Sequence, residues 1–156
     1  MQTDSKSDNL VFEEKWNLMY RHSAGPIVSH FFRTLKEEAK LVGRFCPKCE
    51  RVLMPPRSFC DRDFVETERW NDVGPGGTLE TFTTVYRGFQ GLPDPPYCFG
   101  YVLLDGASTA ILNYIRGVDL TPGSDGLKAL KIGARMRVVY APKRESKMSD
   151  FWFEPA

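Results

Sequence analysis

The chain has 156 residues, 42% hydrophobic and 26% charged, and its 21 Lys and Arg against 20 Asp and Glu leave a net charge of +1. So even a balance provides no field to draw it toward nucleic acid or an anionic membrane, and no apolar run approaches the ~20 residues of a bilayer span. Eleven Phe, six Tyr and three Trp are enough for one compact domain, or for a small metal-stapled module on a slightly larger barrel.

Residues 1–10 are polar and are expected to fray. They lack the basic-then-apolar order of a secretory leader, so a reducing cytoplasm is the expected compartment. Val11, Phe12, Trp16, Met19 and Tyr20 fall on a rough helical face, which predicts a short helix or a partner-clasping arm over 11–22. Gly25-Pro26 breaks the chain. Pro26 suits the first residue of a second helix and Gly43 its terminator. Between them Ile27, Phe31, Leu35, Ala39 and Val42 recur every three to four residues, while Arg33, Lys36, Glu37 and Lys40 take the opposite side. Residues 1–43 therefore read as an N-terminal helical arm. Its stripe either packs on its own domain or docks on another subunit.

Residues 44–70 carry the strongest signal. Cys46-Pro47-Lys48-Cys49, ten further residues, then Cys60-Asp61-Arg62-Asp63 form two short turns, each offering ligands three apart, as a closed tetrahedral zinc site requires. Cys46, Cys49 and Cys60 are the thiolate ligands. The fourth position is open among Asp63, Asp61, Cys98, His22, His30 and water; Asp63 repeats the Cys46-to-Cys49 spacing and is adopted. One hard oxygen favours zinc over an iron site, which prefers an all-sulfur shell. A four-ligand site with no open position is structural. A disulfide pair and bare surface thiols are the competing readings. Two prolines in Met54-Pro55-Pro56-Arg57 stiffen the connection between the turns, and the turn-rich residues 71–77 read as a linker.

Beyond that linker the pattern changes to strands, predicted over 78–86, 97–104, 110–115, 135–140 and 149–153. A long loop over 118–129 separates the third from the fourth. Five short strands with Gly-rich corners over 78–156 suit a small OB-type barrel, with a β-sandwich as the alternative. The expected fold class is thus mainly β with N-terminal helices: a zinc ribbon followed by a five-stranded OB-fold barrel.

A helix bearing Phe32, Arg33 and Leu35, then Cys46-Pro47-Lys48-Cys49, Pro55-Pro56-Arg57, Cys60 and a five-strand half, resembles the acyl-CoA-associated family of rubredoxin-like zinc ribbon plus OB-fold proteins. The resemblance covers about residues 27–154 and is most specific at the cysteines and Pro-Pro-Arg. It implies a small accessory subunit beside a thiolase, a ketoacyl-synthase-like enzyme or a thiolase-like retro-aldolase, shaping the channel for a coenzyme A thioester. Some such pairs handle bulky acyl groups, among them the benzoylsuccinyl-CoA thiolase of anaerobic toluene breakdown. This sequence departs from the family at Asp63, where a fourth cysteine is usual.

The residues themselves agree with catalysis supplied in trans. A thiolase needs a nucleophilic cysteine with a histidine base; Cys98 lies in a predicted strand, where cysteine behaves as a small hydrophobe, and His30 falls outside the apolar stripe, as a solvated surface group would. Gly74-Pro75-Gly76-Gly77 lacks the Lys-Ser/Thr of a phosphate loop. OB-folds bind ligands across their central strands and the loops joining strands one to two and four to five. Coenzyme A phosphates call for Arg or Lys and its adenine for an aromatic ring, so Arg57, Arg87 and Phe89 are the candidates for the coenzyme channel or the subunit interface. The rival class is a nucleic-acid-binding ribbon and OB module. It calls for a dense basic groove, which the evenly spread charges do not provide.

Overall fold

The computed structural model describes residues 18–88 and 91–156, together with the backbone of the paired strands β1 (Gln2–Thr3) and β2 (Leu10–Val11). Fraying was expected over 1–10, yet β1 and β2 pair antiparallel. The predicted helix over 11–22 is not supported where it can be followed. Val11 belongs to β2, residues 12–17 lie outside the described residues, and Leu18, Met19 and Tyr20 are irregular and exposed.

Helix α1 (Gly25–Glu38) has Pro26 in its first turn, as expected, but ends five residues before Gly43. Ala39 takes the left-handed conformation at its C-terminus, and the chain turns into β3 (Leu41–Phe45). Gly43 is therefore no helix terminator. It sits mid-strand, where an added Cβ would stand 2.6 Å from Val52 Cγ1 and 3.0 Å from the Leu53 carbonyl oxygen. Only glycine lets β3 approach its neighbour that closely. The apolar stripe packs inward at Phe31 and Leu35, so its main positions serve this chain's own core.

β3 is the centre of a three-stranded sheet, flanked antiparallel by β4 (Val52–Leu53) and β5 (Trp70–Val73). The expected linker over 71–77 thus carries most of β5 and the start of the next strand; Gly74-Pro75 alone remains between them. Backbone pairing overrode the turn-forming residues because Asn71 and Asp72 face Gly43 and Val42 across the ladder.

The remaining strands are β6 (Gly76–Val85), β7 (Tyr97–Leu104), β8 (Ile111–Ile115), β9 (Arg135–Tyr140) and β10 (Phe151–Pro155). They close into a barrel in the order β10-β8-β7-β6-β9. All neighbours are antiparallel except β10 and β8, which meet in parallel at Phe153 and Ile115. Closure in that order is the OB arrangement and rules out the sandwich. A short helix α2 (Asp125–Ala129), capped by the Ser124 hydroxyl, occupies the long loop between β8 and β9.

One core runs through both halves. Phe31 and Leu35 of α1 and Leu41, Val42 and Val73 of the sheet are continuous with Leu79, Val102, Ile111, Met136, Phe151 and Phe153 of the barrel. The β7–β8 turn reinforces this junction: Ser108 N–H donates to the Val52 carbonyl at 2.8 Å, and Val52 N–H to Ser108 Oγ at 3.0 Å. Thr109 Oγ1 accepts from Met54 N–H at 2.7 Å and donates to the Met54 carbonyl at 2.8 Å. At the other end Arg144 Nε donates to the Lys36 carbonyl at 2.9 Å, tying the β9–β10 loop to the end of α1. Among the described residues no helix is long and apolar enough to cross a membrane.

Overpacking of this kind costs about 1–3 kcal/mol, so Gly43→Ala is expected to lower the unfolding free energy by about that amount. Chemical denaturation of the two chains measures it.

Candidate metal centre and barrel pocket

The two turns of the ribbon repeat one backbone pattern. Cys46 N–H donates to the Arg51 carbonyl at 2.8 Å and Glu50 N–H to the Cys46 carbonyl at 3.0 Å. Fourteen positions on, Cys60 N–H donates to the Val65 carbonyl at 2.9 Å and Phe64 N–H to the Cys60 carbonyl at 3.0 Å. Glu50 and Phe64, the fifth residue of each turn, both have positive φ, 58° and 55°. The repeat makes Asp63 the positional equivalent of Cys49. A positive-φ residue one place after each second ligand is the signal that sequence reading misses when glycine is absent there.

This repetition brings Cys46, Cys49, Cys60 and Asp63 together, with one ligand atom from each lying within 4.8 Å of all the others. A tetrahedral zinc ion with bonds of about 2.3 Å to sulfur and 2.0–2.2 Å to oxygen sets S···S edges of about 3.8 Å and S···O edges of about 3.5 Å. Cys49 and Cys60 sulfurs are 3.7 Å apart, and Asp63 Oδ2 lies 3.6 Å from Cys46 Sγ and 3.5 Å from Cys60 Sγ. The four residues fit a metal ion.

Three of the other candidates for the fourth position are engaged elsewhere. Asp61 pairs with Arg51 at 2.9 Å and Arg57 at 3.6 Å. His30, expected to be solvated, instead stacks on Trp70 with ring centroids 4.2 Å apart, because α1 crosses the start of β5. Cys98 is buried in the barrel, where burial raises its thiol pKa against a hydrogen bond with Thr84. All four cysteines are free, so the disulfide reading falls.

Electrostatics at the cluster are uneven. Burial raises the Cys46 thiol above its ordinary range. Burial also works to raise Cys60, but N–H donation from Asp63, Arg62 and Arg51, with a bond from Cys46, outweighs it and brings the thiol down to about 7. Hydrogen bonds from Cys49, then from Cys60 and Cys46, with Lys48 nearby, hold the Asp63 carboxyl below its usual value.

A second feature lies on the barrel. A pocket of about 470 Å³ is lined by Leu92 of the β6–β7 loop, Tyr97 and Phe99 of β7, Leu112, Asn113 and Tyr114 of β8, and Met148 of the β9–β10 loop. These are the central strands and the two loops where an OB-fold ligand was expected. Its walls are aromatic: Tyr97 stacks near Phe99, and Tyr114 meets Tyr97 edge-on. Asn113, overlooked in the sequence, braces it. Asn113 Nδ2 donates to the Met148 and Phe151 carbonyls at 2.9 and 3.0 Å, and Oδ1 accepts from Tyr114 N–H at 2.7 Å. Asp150 Oδ2 fixes the same loop by accepting from Glu145 and Lys147 N–H at 2.7 and 3.0 Å.

Of the coenzyme candidates, Arg57 and Arg87 do not line this pocket. Arg57 is on the ribbon, beside a hollow formed with residues 24–28 at the start of α1. Arg87 is exposed at the entry to the β6–β7 loop, and Phe89 lies outside the described residues.

Residues 70–141 match the family model of the ChsH2 C-terminal OB-fold domain. Two solved structures share the fold. One is a protein of unknown function from the DUF35 family of Sulfolobus solfataricus, 22% identical, with 85% of this chain and 87% of that one covered and a TM-score of 0.62. The other is described as the Ltp2-ChsH2(DUF35) aldolase, 15% identical over 86% of this chain and 98% of that one, also with a TM-score of 0.62. No curated protein matches the chain.

Elemental analysis of the purified protein is expected to find one zinc per chain, with Cys60→Ser losing it and Asp63→Ala retaining it more weakly. Because both thiols must shed protons to bind, zinc affinity is expected to fall steadily with pH across the neutral range, where the raised Cys46 thiol is protonated, and more steeply below about 7, where Cys60 also takes up its proton; chelator competition at several pH values measures it.

Proposed function

We propose that this chain, a protein of the DUF35 fold whose barrel is of the ChsH2 C-terminal OB type, is a zinc-stabilised accessory subunit of a thiolase-type acyl-CoA enzyme. The observation that carries the reading is a four-residue Cys/Asp cluster able to hold an ion, set on a sheet whose core is continuous with that of a ChsH2-type barrel. The ion would have no open coordination position for substrate, so its part is to hold the two turns together.

The remaining groups support reactivity supplied by a partner. Cys98 is buried beside Thr84, and His30 is stacked on Trp70, so neither belongs to a nucleophile–base pair. Docking falls to the stretch ahead of α1, where Leu18, Met19 and Tyr20 are 70%, 100% and 78% exposed. Three consecutive apolar side chains left in water mark an interaction surface. On this reading the barrel pocket and its two loops face the acyl-CoA channel, with Arg87 and Phe89 on the first loop contacting the coenzyme and Arg57 at the subunit interface. The pocket's aromatic walls suit a bulky acyl group, which supports the benzoylsuccinyl-CoA thiolase as the specific assembly. The likeness to the Ltp2-ChsH2(DUF35) aldolase favours a second reading, in which the partner is a thiolase-like retro-aldolase and the subunit's role is unchanged.

Co-expression with a thiolase-like catalytic partner is expected to give a stable hetero-oligomer, with acyl-CoA turnover by the complex and none by the lone chain. Replacing Leu18, Met19 and Tyr20 together by Asp is expected to weaken assembly at least tenfold, or about 1.4 kcal/mol, while zinc content stays at the wild-type level. Size-exclusion chromatography with light scattering reads the assembly, and elemental analysis the zinc. Robust turnover by the isolated chain would refute the accessory role.

A further inference from the structure

One cation reaches into the metal cluster from outside the ligand set. Arg51 follows the first turn, and its guanidinium lies across the gap between the two. Nε donates to Cys49 Sγ at 3.3 Å and Nη2 to Cys60 Sγ at 3.4 Å. The same Nη2 donates to Asp61 Oδ1 at 2.9 Å, which fixes the plane of the fork. The side chain is only 23% exposed. Lys48 and Arg62 stand on the same two turns but are exposed.

Three thiolates and a carboxylate around a divalent ion leave a net charge of about −2. A partly buried excess of that size requires a counter-charge. Arginine meets the geometry that lysine does not: its planar fork addresses two acceptors at once and keeps its proton at any working pH. Here the two acceptors belong to different turns, so a single side chain joins both halves of the ligand set.

We propose that Arg51 is the outer-sphere counter-charge of the metal centre, bridging one thiolate of each turn and thereby raising the affinity of the site for its ion. This rests on the reading of the cluster as a zinc centre. Arg51 is not itself one of the four ligand residues; it acts on the metal through the sulfurs of Cys49 and Cys60. Its N–H groups would lower the energy of the sulfur lone pairs that they address on Cys49 and Cys60.

The test uses the full chain, R51M and R51K, each titrated with zinc against a chromophoric chelator and each loaded with cobalt(II) for absorption spectroscopy. Loss of an outer-sphere partner of this kind reduces metal affinity by about 10–100-fold, and R51M is expected to show that loss. Its thiolate-to-cobalt charge-transfer band is expected to move to lower energy, while the d–d bands of a tetrahedral site hold their position. R51K, with the charge but not the fork, is expected to fall between the two on both readouts. Wild-type affinity with an unshifted charge-transfer band in R51M overturns the assignment. If R51M does not fold, R51K decides, and wild-type values there overturn it equally. A wild-type chain that takes up neither zinc nor cobalt overturns the metal reading itself.

Discussion

Four acidic ligand groups converging on one point are the constraint from which the rest of the structure follows. Three sulfurs and a carboxylate held within 4.8 Å repel one another when ionised, unless a cation stands among them. The chain nevertheless builds this convergence twice over, with the same hydrogen-bonded turn at Cys46 and at Cys60. Each turn places a non-glycine residue, Glu50 or Phe64, at positive φ, at about 1–2 kcal/mol apiece. Local strain of this sort persists only where something larger over-determines it, and a closed coordination shell is a sufficient cause.

The convergence matters beyond the ribbon because β4 is anchored on both sides. One side pairs with β3; the other is held by Ser108 and Thr109 of the β7–β8 turn through four hydrogen bonds. β7 and β8 in turn supply most of the pocket wall on the barrel. The metal cluster, with its own small core of Cys46, Leu53 and Cys60, is thus joined through the sheet to the pocket by one hydrogen-bonded path, and the sheet and barrel share the larger core.

Much of this was legible in the residues. Cysteine spacing located the metal cluster, and strand periodicity found all five barrel strands, with β7 and β9 bounded as expected. What escaped was governed by long-range pairing. Gly43 reads as a helix stop in isolation, yet its role comes from Val52 and Leu53, distant in the chain. Asn71 and Asp72 read as turn formers, yet β3 recruits them into a ladder. His30 reads as a surface group because nothing local announces that Trp70 will lie against it. Asn113 stands among apolar neighbours on β8, and its bracing of a loop 35 to 38 residues away has no local signature. The coenzyme candidates were chosen by side-chain chemistry alone, and Arg57 and Arg87 do not line the barrel pocket.

The brevity of β4 carries a consequence for how the barrel depends on the ribbon. A strand of two residues has too few contacts of its own to stay in place if either neighbour lets go. An empty ribbon would thus release the β7–β8 turn and alter the barrel surface offered for assembly. On the accessory role proposed above, occupancy of the ion site would act as a licence for recruitment, with copies made during metal starvation passed over.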